Sequence, residues 1–332
     1  MYLGKTIAVV IPCYNEETQI TKVLLGIPSF VDLIYVIDDA SRDQTFHIAS
    51  TYANNDERIT VLRHKKNSGV GAAIATGYQQ ALIENADVTA VMAGDGQMDP
   101  TELELVIYPV VEEIVDYCKG NRFFYLRSVK KIPRTRLFGN FILSAITKIV
   151  SGYWHISDTQ CGYTAISKEA LASIDIDNIY PSYGCPNDIL TKLNIAEMRV
   201  GEVAVNPLYG VGEVSKMKIT RVICPILLLM RKLFIQRMLE KYVFRTGHPL
   251  VLAYTLSALL FIFFLLLGLY ITIAFWLTGL IRKVALIVAG VTLIIALQLL
   301  LNAVGMDFDY NKELSIKLRA GRFTRLKNGQ RK

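Results

Sequence analysis

The chain has 332 residues, 52% of them hydrophobic, and carries 36 Lys and Arg against 29 Asp and Glu for a formal net charge of +7. That length admits one large domain with additions or two modest domains. The five cysteines, Cys13, Cys118, Cys161, Cys185 and Cys224, lack paired metal-ligand spacing and suit a reduced cytoplasmic compartment.

The first hundred residues alternate short apolar runs with helical patterns. Thr6 to Ile11 reads as a buried strand; the apolar run Ile7 to Pro12 is too short for a signal peptide and is followed by polar residues, so no leader is expected. Glu16 to Leu25 reads as a helix with Ile20, Val23 and Leu24 inward, Leu33 to Ile37 as a second strand and Ile59 to Leu62 as a third. Gly71 to Ile83 is a helix with small residues on one face, and Val88 to Met92 a fourth strand. Strands alternating with helices predict a parallel sheet covered on both faces. Ligands of such sheets bind beyond the carboxyl ends of the strands, where this chain places polar clusters at 12–16, 38–43 and 95–99.

Past Pro100, Thr101 to Val115 reads as a helix, followed by a basic segment from Lys119 to Arg136 and a helix from Leu137 to Val150 that leads into Ser157 to Ile166. Residues 185–197 read as a helix and Val200 to Val205 as a strand. Residues 220–245 mix basic and apolar positions, with an apolar core, Val222 to Met230, of nine residues. That is short for a span and fits an interfacial amphipathic helix.

Two uncharged runs follow, 33 residues from Pro249 to Ile281 and 23 from Val284 to Met306, split by Arg282 and Lys283. A bilayer-spanning helix needs about 20 apolar residues, so each run is long enough. The first helix is expected from about Leu250 to Ala274, with a turn through Trp276, Thr278 and Gly279. Basic residues crowd both outer flanks, including Arg231, Lys232, Arg237, Lys241 and Arg245 before the pair and Lys312, Lys317, Arg319 and Arg322 after it. Basic loops stay cytoplasmic, which predicts a multi-pass protein of the cytoplasmic membrane with its large domain and both flanks in the cytoplasm. The positive charge is then a membrane signature, and nucleic acid is not an expected partner. The expected divisions are 1–218, a catalytic domain; 219–247, juxtamembrane helices; 248–306, a two-helix hairpin; and 307–332, a basic tail.

Four clusters carry the chemistry. Pro12-Cys13-Tyr14-Asn15-Glu16 offers a carboxylate to a base or ribose, although Asn-Glu is also an ordinary helix start. Asp38-Asp39-Ala40-Ser41-Arg42-Asp43 places adjacent carboxylates at a strand end, suited to a uracil or guanine edge and ribose hydroxyls, or has Ser41 or Asp43 capping the next helix. Lys66 to Ala73, with Gly69 and Gly71 before a helix, is similar to a phosphate cradle but is neither a P-loop nor a dinucleotide fingerprint. Gly94-Asp95-Gly96-Gln97-Met98-Asp99-Pro100 spaces oxygen ligands by one residue, which suits Mg2+ or Mn2+ with a diphosphate completing the shell; Asp99 fits an N-cap.

In order and spacing these clusters resemble the family 2 glycosyltransferases. Asp158-Thr159-Gln160-Cys161-Gly162-Tyr163 and Gly212 to Lys216 resemble later motifs of dolichyl-phosphate glucose and mannose synthases. The resemblance implies an α/β, GT-A (Rossmann-like) mixed-sheet catalytic domain followed by interfacial helices and two transmembrane helices. It implies inverting transfer of one sugar from a uridine- or guanosine-diphosphate donor to a polyprenyl phosphate. The donor would meet Pro12, Tyr14, Glu16, Asp38, Asp39, Lys66, Gly71 and Asp95. Asp95 and Gln97 would hold the metal, because Ala93 stands where the family usually has a first metal-binding aspartate. An acceptor phosphate needs cations rather than a base, and Arg122, Arg134, Arg136 and Lys216 are available; Arg122 and Arg136 join Asp95 and Gln97 as the expected catalytic set. The expected partners are the nucleotide sugar, the lipid acceptor and the membrane, with a homo-oligomer left open. Two other readings stand beside this one: a family 2 enzyme acting on a sugar hydroxyl, for which Asp188 is the candidate base, and a membrane scaffold with a degenerate transferase fold.

Overall fold

The structure is a computed structural model. It describes residues 1–124, 134–206, 208 and 219–318, without the side chains of 134–138, 140 and 219–223. It divides into two compact units, residues 1–234 with 313–332, and residues 235–312.

The first unit is built on an eight-stranded sheet. The strands are β1 (Ile7–Cys13), β2 (Leu33–Asp38), β3 (Ile59–Arg63), β4 (Val88–Val91), β5 (Tyr117–Asn121), β6 (Thr164–Ser167), β7 (Val200–Ala204) and β8 (Ser315–Ile316). Their order is β3-β2-β1-β4-β6-β5-β7-β8. The first four run parallel, as the alternation predicts. Strand β6 is antiparallel to both β4 and β5, so the sheet is mixed. All seven residues of β1 are buried, because a central strand is covered on both faces and has no solvent side to alternate with. The core lies in two layers, one on each face of the sheet.

The first-unit helices are α1 (Ile20–Gly26), α2 (Thr45–Ala53), α3 (Val70–Ile83), α4 (Leu103–Val111), α5 (Arg134–Ser151), α6 (Lys168–Ser173), α7 (Cys185–Ile195) and most of α8 (Ile219–Arg237). Helix α1 turns its predicted Ile20, Val23 and Leu24 inward but starts later than expected, after an irregular turn. Asp99 caps the 3-10 turn Pro100–Glu102 by accepting from the Thr101 amide at 2.9 Å, as its place before proline predicts.

In the second unit a π-helical turn, Met238–Arg245, leads to α9 (Leu250–Thr278) and α10 (Lys283–Asn311). Each has 29 residues, about 43 Å at 1.5 Å per residue, against an apolar bilayer core of about 30 Å. Helix α9 continues through Trp276 to Thr278, past the expected end at Ala274, since nothing in Phe275-Trp276-Leu277 interrupts its hydrogen bonding. The two helices meet through small residues, among them Ser257, Ala289, Thr292, Ala296 and Ala303. Ser257 Oγ donates to the Ala296 carbonyl at 2.8 Å. Near the end of α10 the buried Asp307 takes a bidentate pair from Arg237, at 2.8 and 3.0 Å, and a bond from the Tyr242 hydroxyl at 2.6 Å.

Candidate active site

The loops at the carboxyl ends of β1 and β2 are stitched together. Asn15 stands in the left-handed region at φ 54°; its amide donates to Ser41 Oγ at 2.9 Å and its side-chain oxygen accepts from the Arg42 amide at 2.8 Å. The Glu16 amide donates to Thr45 Oγ1, and Asp43 accepts from the Thr45 and Glu17 amides. This leaves Tyr14 and Glu16 half-buried beside the buried Pro12. Of the two capping candidates, Asp43 serves the start of α2. Burial pushes the Cys13 thiol well up, and Glu16, Asp38 and Asp95 push it further.

Asp38 and Asp39 do not present an open edge. The Asp38 side chain is fully buried, takes the Ser41 amide at 3.3 Å and pairs with Arg63 Nε at 3.0 Å. Asp39 Oδ1 accepts from the Ser68 amide at 2.8 Å and lies 2.7 Å from His64 Nδ1, while Oδ2 accepts from the Gly69 amide at 2.7 Å. Both carboxylates, expected to meet a nucleoside, also accept from the protein's own donors and so brace the loops around the site.

Gly71, expected in a phosphate cradle, packs against the loop that precedes α7. The Gly71 and Ala72 amides, which would greet an anion at the start of α3, donate to the Pro181 carbonyl at 2.8 and 3.3 Å. Glycine is required at 71 because a Cβ there would stand 2.0 Å from the Tyr180 carbonyl oxygen. Lys66, just upstream, is exposed.

The turn after β4 is different. Asp95 is half-exposed, and its Oδ1 accepts the Gln97 amide at 3.0 Å, a local turn bond. Gly94 lets this turn close over the end of β1, since a Cβ there would meet Cys13 Sγ at 2.5 Å. The Gln97 carbonyl accepts from the Leu208 amide at 2.9 Å, and the Asp99 carbonyl from the Tyr163 hydroxyl at 3.0 Å. A carboxylate and a carboxamide supply hard oxygens that fit Mg2+ or Mn2+. Among the described residues no group of three or more His, Cys, Asp or Glu forms a cation cage. An ion here would complete its shell with substrate phosphate and water, as Mg2+ commonly does.

On the other side of β4 the site is framed by a buried charge network. Arg122 forks onto Asp158, with Nε and Nη2 at 2.7 and 2.9 Å from its two oxygens. Asp158 is held from behind, because Glu202 on β7 accepts the Ser157 and Asp158 amides at 2.7 and 2.8 Å. Burial raises the Glu202 carboxyl above its ordinary value, against the pull of those amides. Lys119 is fully buried, donates to the Cys161 carbonyl at 2.7 Å, and is lowered by burial. Asp188 lies in α7 at 3% exposure, accepts the Tyr180 amide at 2.7 Å and pairs with Lys192 at 3.2 Å, so it is sealed in the fold. Arg134 and Arg136 open α5, but their side chains, and Lys216 altogether, lie outside the described residues. His64, Lys119 and Glu202 escape a sequence reading: each is a single polar residue with no motif around it.

The family model for glycosyl transferase family 2 matches residues 8–175. The UDP-N-acetylglucosamine–dolichyl-phosphate N-acetylglucosaminyltransferase of Methanococcus voltae is 29% identical over 218 residues, covering 62% of this chain and 86% of that protein. The undecaprenyl-phosphate mannosyltransferase of Micrococcus luteus is 28% identical, covering 59% and 81%. The dolichyl-phosphate beta-glucosyltransferase ALG5D of Trichomonas vaginalis is 27% identical, covering 65% and 69%. Among solved structures, glucosyl-3-phosphoglycerate synthase from Mycobacterium tuberculosis, crystallised with Mn2+, UDP and glucosyl-3-phosphoglycerate, superposes with a TM-score of 0.51. It is 18% identical and covers 70% of this chain and 80% of that one, a likeness of fold.

Proposed function

Because the chain belongs to glycosyl transferase family 2, we propose that this glycosyltransferase moves one sugar from a nucleotide-diphosphate donor to a polyprenyl phosphate at the cytoplasmic face of the membrane, with inversion. The observation that carries this reading is the match to relatives named for dolichyl or undecaprenyl phosphate across 59–65% of the chain. The sealing of Asp188 supports it, since a hydroxyl acceptor needs a base and the candidate base is engaged inside the fold. A phosphate acceptor is already an anion and needs none.

In this reading the donor lies over Pro12, Tyr14 and Glu16, with Lys66 near its phosphates. Asp95 and Gln97 hold the diphosphate end through a divalent ion, Mg2+ or Mn2+, which supplies counter-charge as the diphosphate leaves. Arg122, fixed in place by Asp158, receives the acceptor phosphate with Arg134, Arg136 and Lys216. One phosphate oxygen attacks the anomeric carbon from the face opposite the departing nucleoside diphosphate, so the new bond forms with inverted configuration.

Chain connectivity supports a hairpin topology. The segment 235–312 leaves the first unit and returns to it, and β8 pairs with β7 directly afterwards. Two candidate spans between segments of one folded unit require an even number of crossings. Single reporter cysteines at Gly279 and Lys317 in sealed vesicles are expected to label from opposite sides; labelling from the same side contradicts the hairpin.

The activity is tested with the purified full chain, a panel of UDP-sugars and GDP-mannose, and undecaprenyl or dolichyl phosphate. Sugar transfer to the lipid phosphate is expected, and Arg136→Ala should raise the KM for that acceptor while sparing the KM for the donor. Transfer to a neutral glycan and never to either lipid phosphate would replace this reading with the hydroxyl-acceptor one.

A further inference from the structure

Residues 158–163 join the two sides of the site. At one end Asp158 holds the fork of Arg122. At the other the Tyr163 hydroxyl donates to the Asp99 carbonyl at 3.0 Å, and Gly162 packs on Met98, whose Cε would stand 3.3 Å from a Cβ at 162. The segment therefore runs from the cation read as the acceptor's to the turn read as the diphosphate's. Asp158, Thr159, Cys161 and Tyr163 are buried. Only Gln160 and Gly162 of the six reach the surface, and Gly162 has no side chain, so Gln160 is the group that the segment presents.

The inner end of that carboxamide is fixed. Gln160 Nε2 donates to Thr159 Oγ1 at 2.9 Å and to Asn187 Oδ1 at 2.8 Å. Thr159 Oγ1 lies 3.2 Å from Ser144 Oγ, and Asn187 Oδ1 also takes the Thr147 hydroxyl at 2.9 Å. All four supporting residues are buried. The Asn187 amide nitrogen has no partner among the described residues. A buried donor left unmet is costly and uncommon in a folded protein; here the same amide aims its oxygen at Gln160. A carboxamide nitrogen carries two hydrogens, and both are engaged, so the group is held against rotation and Oε1 is the end left to accept.

We propose that Gln160 is a specificity-determining residue for the sugar: its Oε1 accepts a hydrogen bond from one hydroxyl of the sugar being transferred. The inference deepens the reading of the chain as a user of nucleotide sugars and rests on it. The sugar passes from the diphosphate to the acceptor phosphate. It must therefore lie between the groups that hold those two anions, which is where residues 158–163 run. Charge suits the two phosphates, through Arg122 on one side and an ion at Asp95 on the other. The sugar between them is neutral and is recognised by hydrogen bonds. A carboxamide supplies an acceptor oxygen there without adding an anion beside the departing diphosphate. Held by buried partners, that oxygen selects a hydroxyl in one position and configuration and discriminates against an analogue that lacks it.

The test is calorimetric binding to the purified full chain with Mn2+ and no acceptor. The probes are UDP, GDP, UDP-glucose, UDP-galactose, UDP-N-acetylglucosamine and GDP-mannose, and the sugar nucleotide that the parent binds most tightly is then compared with its deoxy analogues. Gln160→Ala, and Gln160→Met as a variant of the same length, are expected to bind the nucleoside diphosphate within about twofold of the parent and the sugar nucleotide about five- to tenfold more weakly. Removing one particular hydroxyl from the sugar should cost the parent that same factor and cost the variants nothing further. Sugar-nucleotide affinity unchanged in both variants would overturn the proposal. So would an equal loss for the bare nucleotide, which would make Gln160 a brace of the fold, or a further loss in the variants with every deoxy analogue. Binding of no sugar nucleotide by the parent removes the donor reading and this inference with it. Transfer assays on the same proteins separate Gln160 from the acceptor: discrimination lost in the variants, with no transfer to lipid phosphate by the parent, keeps Gln160 and removes that acceptor, and transfer with discrimination unchanged does the reverse.

Discussion

The turn around Asp95 and the loops around Asp39 stand at the ends of β4 and β2, on either side of β1, and look alike in sequence, each with an aspartate among small and polar residues. Their carboxylates sit in different surroundings. Asp39 is buried and meets three protein nitrogens within 2.8 Å. Asp95 is half-exposed, and a bond that it accepts from the Gln97 amide shapes its own turn. A carboxylate that already saturates backbone donors stabilises loops; one that faces solvent from a rigid turn can take a ligand. The same division separates Asp38, Asp158 and Asp188, all buried against amides or cations, from Asp95.

The comparison is broken or sharpened by substitution. The largest effect is expected at the exposed site: Asp95→Asn should lower turnover by about 100-fold or more while thermal unfolding stays unchanged. Loss of folding instead of catalysis would place Asp95 with the structural set. Asp39→Ala should behave conversely. Leaving two buried amides and His64 without their acceptor costs about 3 kcal/mol of stability, read as a lower midpoint of denaturation. A stable Asp39→Ala with only weakened donor binding would return Asp39 to the nucleoside site.

Asp188→Asn is expected to cost about 1–3 kcal/mol of stability, since Lys192 loses its charged partner, while turnover of the folded fraction stays within a few-fold of the parent. A collapse of turnover without loss of stability would revive a base at 188. The smallest effect belongs to Glu202, whose folded pKa burial lifts above 4.5. The fold then binds its proton more tightly than the unfolded chain does. The stability of the parent relative to Glu202→Gln should therefore be greatest below about pH 4.5, fall as pH rises towards the folded pKa, and flatten above it. Unfolding of both proteins across that range measures this; a difference that grows with pH would contradict the assignment.

Strands β1, β2 and β4 are legible in the sequence because parallel strands buried on both faces are written as apolar runs, whereas the half-buried edge strand β3 is legible as a short apolar run between polar residues. Beyond β4 only β7 is written as plainly, and the other strands are hidden. Strand β5 reads Tyr-Cys-Lys-Gly-Asn, and Lys119 is tolerated inside it only because the Cys161 carbonyl, 42 residues on, takes its ammonium. Strand β8 is two residues long and exists through its pairing with β7. Helix α5 shows its period in the sequence but not which face turns inward, because apolar residues lie on both its buried side, at Leu143, Ile146 and Val150, and its exposed side, at Phe141, Ile142 and Ile149. At the site, the position of the Asp95 turn follows from local spacing. The fates of Asp39 and Gly71 do not, since the Gly69 region meets Asp39 across 30 residues and Gly71 meets Pro181 across more than a hundred.

The late pairing of β8 with β7 sets an order of events during synthesis. The outer edge of β7 is made more than a hundred residues before the strand that covers it, and both long apolar helices leave the ribosome in between. The catalytic unit therefore cannot complete its sheet until both long apolar helices have been translated. Until then β7 offers an uncovered edge, the kind of surface on which nascent chains pair wrongly with one another. Closing the sheet from beyond the two long helices makes the last step of its folding contingent on their synthesis, and a chain cut short within them would keep that edge in view of the cell's quality control.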